Sequence, residues 1–425
     1  MRRAFLLLAS LAALALALPA ACMPQTPALP GYQNLDDKTN ANAAFVGASA
    51  CAQCHTAQAA AFRLHGHGRV LTRIERAAPA FPADAAEAGV PDPPAGFAWS
   101  DIRYVVGGYR RLAQFVDQNG YLLTTGGTGA ATQWGLPFAP GGVEPGFTDY
   151  EPGRVDPLPY DYSCFRCHTT GPAPFDAAAP SFQDNRPGLA GTWHEAGVQC
   201  EACHGPGGGH FGTQAGQVVI RRDRIFVDPD GAQTCKQCHA GPAGDASLIL
   251  ARDGFARSEQ QANELAASGG HAAFACTICH DPHRSVTYDR AAAIRNECRA
   301  CHTGVTMAGH GGAVFARGEY SAGLGCETHQ VRCPTLAGRA APADAVGPAA
   351  RVGDTRTHIF RIGADAGSAD AFLTDDGAHV RLDAQGRAAV PTDYVCLRCH
   401  NGIGNVFELT PARAAEIAAR IHDLP

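Results

Sequence analysis

Seven times in 425 residues the chain sets two cysteines three apart and a histidine directly after the second. The copies are Cys51-Cys54-His55, Cys164-Cys167-His168, Cys200-Cys203-His204, Cys235-Cys238-His239, Cys276-Cys279-His280, Cys298-Cys301-His302 and Cys396-Cys399-His400. From 17 cysteines and 18 histidines, random placement would give roughly 0.03 such strings. The spacing is therefore a chemical requirement, and any fold must present all seven. Glycine and proline are abundant, at 49 and 29 residues, and only 17% of residues are charged. Long periodic apolar segments are scarce, so something besides aliphatic side chains is expected to fill the interior.

Two cysteines three apart lie on one face of a helical turn, where both sulfurs can add to the two vinyl groups of one haem. The next residue then puts its imidazole beneath the iron. Redox-active or structural Cys-x-x-Cys pairs and paired zinc ribbons compete with this reading. Neither requires a histidine after the second cysteine in every copy. The expectation is seven covalently attached haem c groups, bound through the fourteen cysteines and ligated by His55, His168, His204, His239, His280, His302 and His400. The expected fold class is mainly α with extensive coil wrapped around a haem chain, carrying small β-meander inserts. Folding should be coupled to haem attachment.

The N-terminus fixes the compartment in which these cysteines are read. Arg2 and Arg3, an apolar run from Ala4 to Leu18 and small residues at Ala20 and Ala21 make residues 1–21 a secretory signal peptide. Its very apolar middle fits the general secretory route better than twin-arginine export. Residues 22–44 read as a Pro-rich tether, and 45–425 as the heptahaem cytochrome c domain. Cys22 follows the cleavage zone, which leaves open a lipoprotein anchor or ordinary cleavage beside a stray cysteine. No later segment approaches the ~18 apolar residues of a membrane span. The protein is expected to be exported to the periplasm, the outer-membrane surface or the extracellular space. Formal charge is −6 with no basic run, which argues against nucleic acid. Haem propionates would add negative charge and favour basic redox partners.

Motif starts are separated by 113, 36, 35, 41, 22 and 98 residues. The five motifs from Cys164 to His302 should form a compact array, and the two long gaps must hold other structure. In the first, Ile102 to Val106, Arg111 to Asp117 and Tyr121 to Thr125 are β-rich, with Asn119-Gly120 as a hairpin turn between the last two. This predicts a hairpin insert over about 100–126, preceded by a Pro/Ala-rich loop from Ala78 to Phe97. In the second, Thr357 to Ile362 and Ala378 to Leu382 are strand candidates. Thr410-Pro411 starts a C-terminal helix predicted over about 411–422.

Eleven histidines lie outside the motifs: His65, His67, His194, His210, His271, His283, His310, His329, His358, His379 and His422. A lone histidine in an exported protein is usually a surface residue, but six of these stand within about a dozen residues of a motif. His283 is the clearest candidate. In Cys279-His280-Asp281-Pro282-His283 the first histidine is committed to its own haem, and the segment is too short to circle that haem. His283 therefore ligates a neighbouring iron or none.

Three strings carry a family resemblance: Cys200-Glu201-Ala202-Cys203-His204-Gly205-Pro206-Gly207 with His210, Cys279-His280-Asp281-Pro282-His283, and Phe62-Arg63-Leu64-His65-Gly66-His67. With Tyr104 to Tyr109 and Gly191-Thr192-Trp193, they resemble the tetrahaem cytochrome c-554 and its multihaem relatives, a class that includes the hydroxylamine oxidoreductase-like cytochromes. The resemblance spans about Phe45 to His400 and specifies no substrate. It implies distal ligands at His67, His210, His271, His283, His310 and His358, with the seventh open among His194, His379, His329, His65 and Met307. Relatives often carry a further Cys-x-x-Cys-His where this chain has Gly325-Cys326-Glu327-Thr328-His329. Its second cysteine is missing, which implies a lost haem site with Cys326 and Cys333 paired as a disulfide, a single-thioether haem being the alternative.

The expected function is electron transfer through closely spaced, mostly bis-histidine haems, to redox protein partners or an extracellular acceptor. Two alternatives stand beside it. One is an oxidoreductase acting on a small nitrogen or sulfur compound at one five-coordinate haem. The other is a subunit of a haem filament or outer-membrane conduit. Eleven spare histidines argue against enforced open coordination, and no Cys-x-x-Cys-Lys occurs. No catalytic residue is assigned.

Overall fold

The computed structural model describes residues 31–110, 112–136, 145–241, 248–252, 255–257, 260–303, 314–317, 320–323, 332–333, 355–364, 369–397, 400, 402 and 407–420. The chain is not mainly α. Its described residues are 27% helical with 18% strand, and the strands form several sheets. The helices that carry the motifs are single turns such as Cys200–His204, Cys276–Cys279 and Cys298–Cys301, because the spacing asks only that two sulfurs share one face. The β content was under-read because most strands are two to four residues long, too short to show an alternating pattern.

The main sheet has seven antiparallel strands: β1 (Leu71–Arg73), β2 (Ile102–Gly107), β3 (Leu112–Asp117), β4 (Tyr121–Leu122), β5 (Gln133–Gly135), β6 (Gly146–Thr148) and β7 (Leu158–Pro159). The expected hairpin is its centre. The Asp117 carboxylate accepts from the backbone N–H of Asn119 at 2.9 Å and of Tyr121 at 2.8 Å, which closes the turn between β3 and β4. Gly120 sits there at φ +91°, and a Cβ would come within 2.9 Å of the Leu189 backbone. Only glycine satisfies both demands. The insert is larger than 100–126, because β1 adds to one edge and β7 to the other.

Both faces of the sheet are buried. Tyr104 and Val106 of β2 pack with Leu71, Val116, Leu122, Tyr160, Phe165, Leu189 and Trp193. Val105 and Ile102 pack the other way with Ile74, Val90, Ala113, Phe115 and Leu123. Ile102 and Val105 share a face although three apart, because a bulge lies between Ile102 and Tyr104. At about 1.5–3 kcal/mol for each large side chain buried, these layers form an apolar core that composition did not suggest. Phe165 belongs to the second motif, so the sheet anchors that motif directly. Asp184 ties the loop after it to the sheet: it accepts from Tyr104 Oη at 2.6 Å and pairs with Arg103 at 2.7 Å and Arg73 at 3.3 Å.

Four further strands frame the next motifs. β8 (Thr169–Thr170) follows His168 and pairs with β9 (Glu195–Ala196). β10 (Phe211–Gln214) and β11 (Gln217–Ile220) form a two-stranded hairpin directly after His210. A third apolar cluster, including Ile249, Ala267, Ile359, Phe372, Val390 and Val395, organises the C-terminal region. There the two strand candidates are largely irregular. Thr357–Phe360 runs between two-residue strands, and Ala378–Leu382 contributes the isolated bridges Leu250–His379 and Leu373–Val380. Side chains take the place of a ladder partner: Glu264 accepts from His358 N–H, and Ser268 Oγ accepts from Phe360 N–H. The C-terminal helix runs Pro411–Ala419, with Thr410 Oγ1 accepting from Arg413 N–H at 3.2 Å. Its expected last turn, with His422, lies outside the described residues.

Candidate haem-binding sites

In five motifs the histidine N–H donates to the carbonyl of the first cysteine four residues back: His55 at 2.9 Å, His239 at 2.9 Å, His280 at 3.0 Å, His302 at 2.8 Å and His400 at 2.9 Å. That bond closes the helical turn and projects the imidazole from its end. His168 differs, donating instead to Phe165 O at 3.0 Å, a tighter turn held by the Asp161 cap. Twelve of the fourteen motif cysteines form no disulfide, which leaves their sulfurs for thioether bonds. Cys301 is disulfide-bonded, so a thioether at the same sulfur requires that this disulfide be opened first. Cys399 lies outside the described residues.

The histidines are brought together in pairs, each joining one motif histidine to one from elsewhere. Ring centroids are 6.2 Å apart for His55 and His210, 6.1 Å for His204 and His283, 5.9 Å for His239 and His67, 6.0 Å for His280 and His358, and 5.8 Å for His302 and His271. A metal–imidazole bond of about 2 Å plus about 1.1 Å to the ring centre, taken twice, gives about 6 Å. The five pairs thus have the separation of two axial ligands on one iron. Spacing gave no way to read which histidine meets which, because the partners come from different segments.

The remaining ring atoms support ligation through Nε2. Nδ1 of His204 lies 3.0 Å from Phe226 O, that of His210 3.0 Å from Arg221 O, and that of His239 2.7 Å from Gln261 Oε1. An oxygen acceptor keeps the proton on Nδ1 and leaves the Nε2 lone pair for a metal. Burial also keeps the rings neutral, the form that binds metal. It holds His67 well below the usual imidazole range, takes His358 down to about 3 and lowers His204, His271, His280 and His283.

Buried carboxylates hold the ligand segments. Glu201, inside the third motif and 3% exposed, accepts from the backbone N–H of Val46 at 2.9 Å, Gly47 at 2.8 Å and Gly207 at 2.7 Å. It thereby joins the first motif to the third and to the turn that carries His210. Glu195 accepts from Ala48 N–H at 3.0 Å. Glu264 accepts from Thr357 Oγ1 at 3.0 Å and His358 N–H at 2.6 Å, and Ser268 Oγ donates to His358 O. These residues carried no sequence signal, since all their partners but Gly207 lie about 90 to 155 positions away.

His168 stands apart. Its Nδ1 is 2.8 Å from the hydroxyl of Tyr160, which is itself fully buried, and burial lowers His168 to about 4. Among the described residues no histidine faces it. Of the five candidates for the open seventh ligand, His194 is exposed and stacked on Phe45 at 5.1 Å. His379 lies on the bridge to Leu250. His65 is packed between Phe62 and His67, and its Nδ1 accepts from His67 N–H at 3.2 Å. The proton of neutral His65 is therefore on Nε2, the wrong tautomer for ligation there. His310, His329, Met307 and Cys326 lie outside the described residues. His400 Nδ1 is 3.1 Å from Phe407 O.

A family model described as cytochrome c554 and c-prime matches residues 154–205, which hold the second and third motifs. No curated protein matches the chain significantly. Among solved structures, the octahaem sulfite reductase MccA of Wolinella succinogenes (form II) is 15% identical, with a TM-score of 0.55 over 92% of this chain and 73% of that one. The undecahaem cytochrome from the S-layer of Carboxydothermus ferrireducens is 20% identical over 71% of this chain, with a TM-score of 0.37; the chain spans 47% of its length. The outer cell wall cytochrome OcwA is 17% identical, with a TM-score of 0.42 over 88% of this chain and 86% of that one. With seven attachment motifs and a segment that matches the c554 family, the chain is similar to multihaem c-type cytochromes and shares the fold of the octahaem protein.

Proposed function

We propose that the protein is an exported heptahaem cytochrome that passes electrons along its haems. The observation that carries the reading is the set of five imidazole pairs at the separation of two axial ligands. A haem iron held between two neutral imidazoles cycles between ferric and ferrous without gaining or losing a ligand. In this reading the fourteen cysteines fix the macrocycles, and His67, His210, His271, His283 and His358 are the distal ligands of the irons borne by His239, His55, His302, His204 and His280. His310 is kept as a sixth, for His400 or His168.

The placement of the distal histidines supports closely spaced haems. His210 lies six residues beyond His204 but faces His55, and His283 lies three beyond His280 but faces His204. His67 lies twelve beyond His55 and faces His239, while His271 lies five before Cys276 and faces His302. Each short peptide therefore spans two sites, linking the first motif to the third and fourth, and the fifth to the third and sixth. Export follows from the signal peptide reading of residues 1–21, with Cys22 either lipidated or cleaved. No described helix is long and apolar enough to cross a membrane. Redox partners are basic proteins or an extracellular acceptor.

His168 favours a second reading for one site: among the described residues it faces Tyr160 and no histidine, and a small nitrogen or sulfur compound could bind at its iron. Low-temperature electron paramagnetic resonance of the oxidised protein, with carbon monoxide titration of the reduced protein, separates the two. All-low-spin irons and no stoichiometric carbon monoxide binding are expected of a pure conduit. One high-spin iron binding one equivalent, with turnover of such a compound, would overturn it.

A further inference from the structure

The hairpin β10–β11 is the one two-stranded element whose apolar side chains stand in the open among the described residues. Phe211 is 40% exposed, Val218 70% and Ile220 48%. Phe211 pairs with Ile220 and Thr213 with Val218, so all four project from one face. From Phe211 to Ile220 there is no charge and no proline, although these are the usual protections of a free strand edge. An isolated two-stranded hairpin is marginal in water, and among the described residues no strand pairs with the outer side of β11.

We propose that the outer edge of β11 pairs antiparallel with the same edge of a second copy, making a continuous four-stranded sheet across a two-fold axis. Hydrogen-bond parity allows it. Arg221 N–H donates to His210 O, so by alternation Val219 and Gln217 bond inward to β10 while Val218 and Ile220 turn their backbone groups outward. A register centred on Val219 then sets Val218 opposite Ile220 of the second copy, and Ile220 opposite its Val218. Both bonded pairs are apolar, and both join exposed side chains of the same face. Arg221 falls opposite Gln217 of the second copy, so no like charges meet. At about 4.8 Å between strands and about 3.4 Å per residue, the two His210 backbones lie roughly 20 Å apart, one His55–His210 site on either side of the joint sheet.

Sedimentation velocity of the full haem-loaded protein over a concentration series tests this. The expected result is a monomer–dimer equilibrium that Val218→Lys weakens at least tenfold and that Thr213→Lys, on the strand away from the joint edge, leaves nearly unchanged. Haem absorbance per chain shows that each variant is assembled. A monomer at every concentration, or a dimer that survives Val218→Lys, overturns the proposal. So does a monomeric protein in which Val218→Lys alters the low-spin signal of the His55–His210 site, because the hairpin would then be covering its own haem.

Discussion

Replacing Glu201 by Gln tests whether one buried carboxylate holds two haem sites together. The carboxylate meets three backbone N–H groups and is 3% exposed. Oε1 serves Gly207, Oε2 serves Gly47, and Val46 N–H is shared between them at 2.9 and 3.2 Å. A glutamine keeps one oxygen and turns an N–H₂ toward the rest, so at least one N–H loses its acceptor and faces another donor. A hydrogen bond to a charged group is worth about 1.5–3 kcal/mol, and a buried orphan donor costs about 1–3 kcal/mol. Glu201→Gln should therefore cost about 2–4 kcal/mol locally, and Glu201→Ala more, since all three donors lose their partner. The loss falls where residues 46–47, which lead into Cys51, meet Gly207, which leads into His210. The expected signature is a broadened or shifted low-spin signal from the His55–His210 site, with a lowered denaturation midpoint and an unchanged haem count. Glu195→Gln is the comparison, because Glu195 is only half-buried and serves the N–H of Ala48 alone. If Glu201→Gln stays within about 0.5 kcal/mol of wild type, the ordinary range for a surface change, the clamp argument is wrong.

Pyridine haemochrome assay with intact mass should give seven haems per chain; six haems with Cys301 in a disulfide would remove the site assigned to His302. His283→Ala should turn one low-spin iron high-spin without changing the haem count, and an unaltered spectrum would mean that His283 is no ligand. Tyr160→Phe removes the oxygen beside His168 Nδ1, which should lower the basicity of that ligand and raise one haem potential in a redox titration; seven unmoved potentials would refute it. Burial pushes the Asp184 carboxyl up, but the Tyr104 hydrogen bond and the Arg103 and Arg73 guanidinium groups outweigh it, so its pKa lies below the usual value. Its stabilisation is therefore present above the unfolded carboxylate pKa of about 3.9 and lost as pH falls through the folded value. Asp184→Asn should cost about 1–3 kcal/mol at neutral pH and flatten the acid limb of the stability curve, an unchanged limb being the contrary result.

What could be read from the sequence divides along a physical line. A Cys-x-x-Cys-His string states its chemistry within five residues, because attachment and proximal ligation are local. The Asn119-Gly120 turn is local too, and it marked the centre of the main sheet. The rest of that sheet was hidden, since β1, β5, β6 and β7 are two or three residues each and are strands only because a neighbouring strand gives each an edge. The same limit applied to the ligands. His283 could be kept off its own haem by chain length alone, but nothing local says that it faces His204. Glu201, Glu264 and Tyr160 act through partners set by the fold, and in sequence they are ordinary residues.

The contrast between His168 and the other motif histidines follows from what surrounds each. Four of the five paired motif histidines face a histidine that a short peptide brings from the neighbourhood of another motif, so that pairing and haem spacing are set together. His168 is surrounded instead by the sheet: Phe165, three residues before it, is buried beneath β2, Tyr160 follows β7 directly, and β8 starts at the next residue. Its ring is held by a phenol, a weaker acceptor than the carbonyls beside His204 and His210, and so donates less strongly to a metal. A phenol acceptor therefore predicts a higher potential for the His168 iron than a carbonyl in the same place would give, and Tyr160→Phe should raise that one potential further.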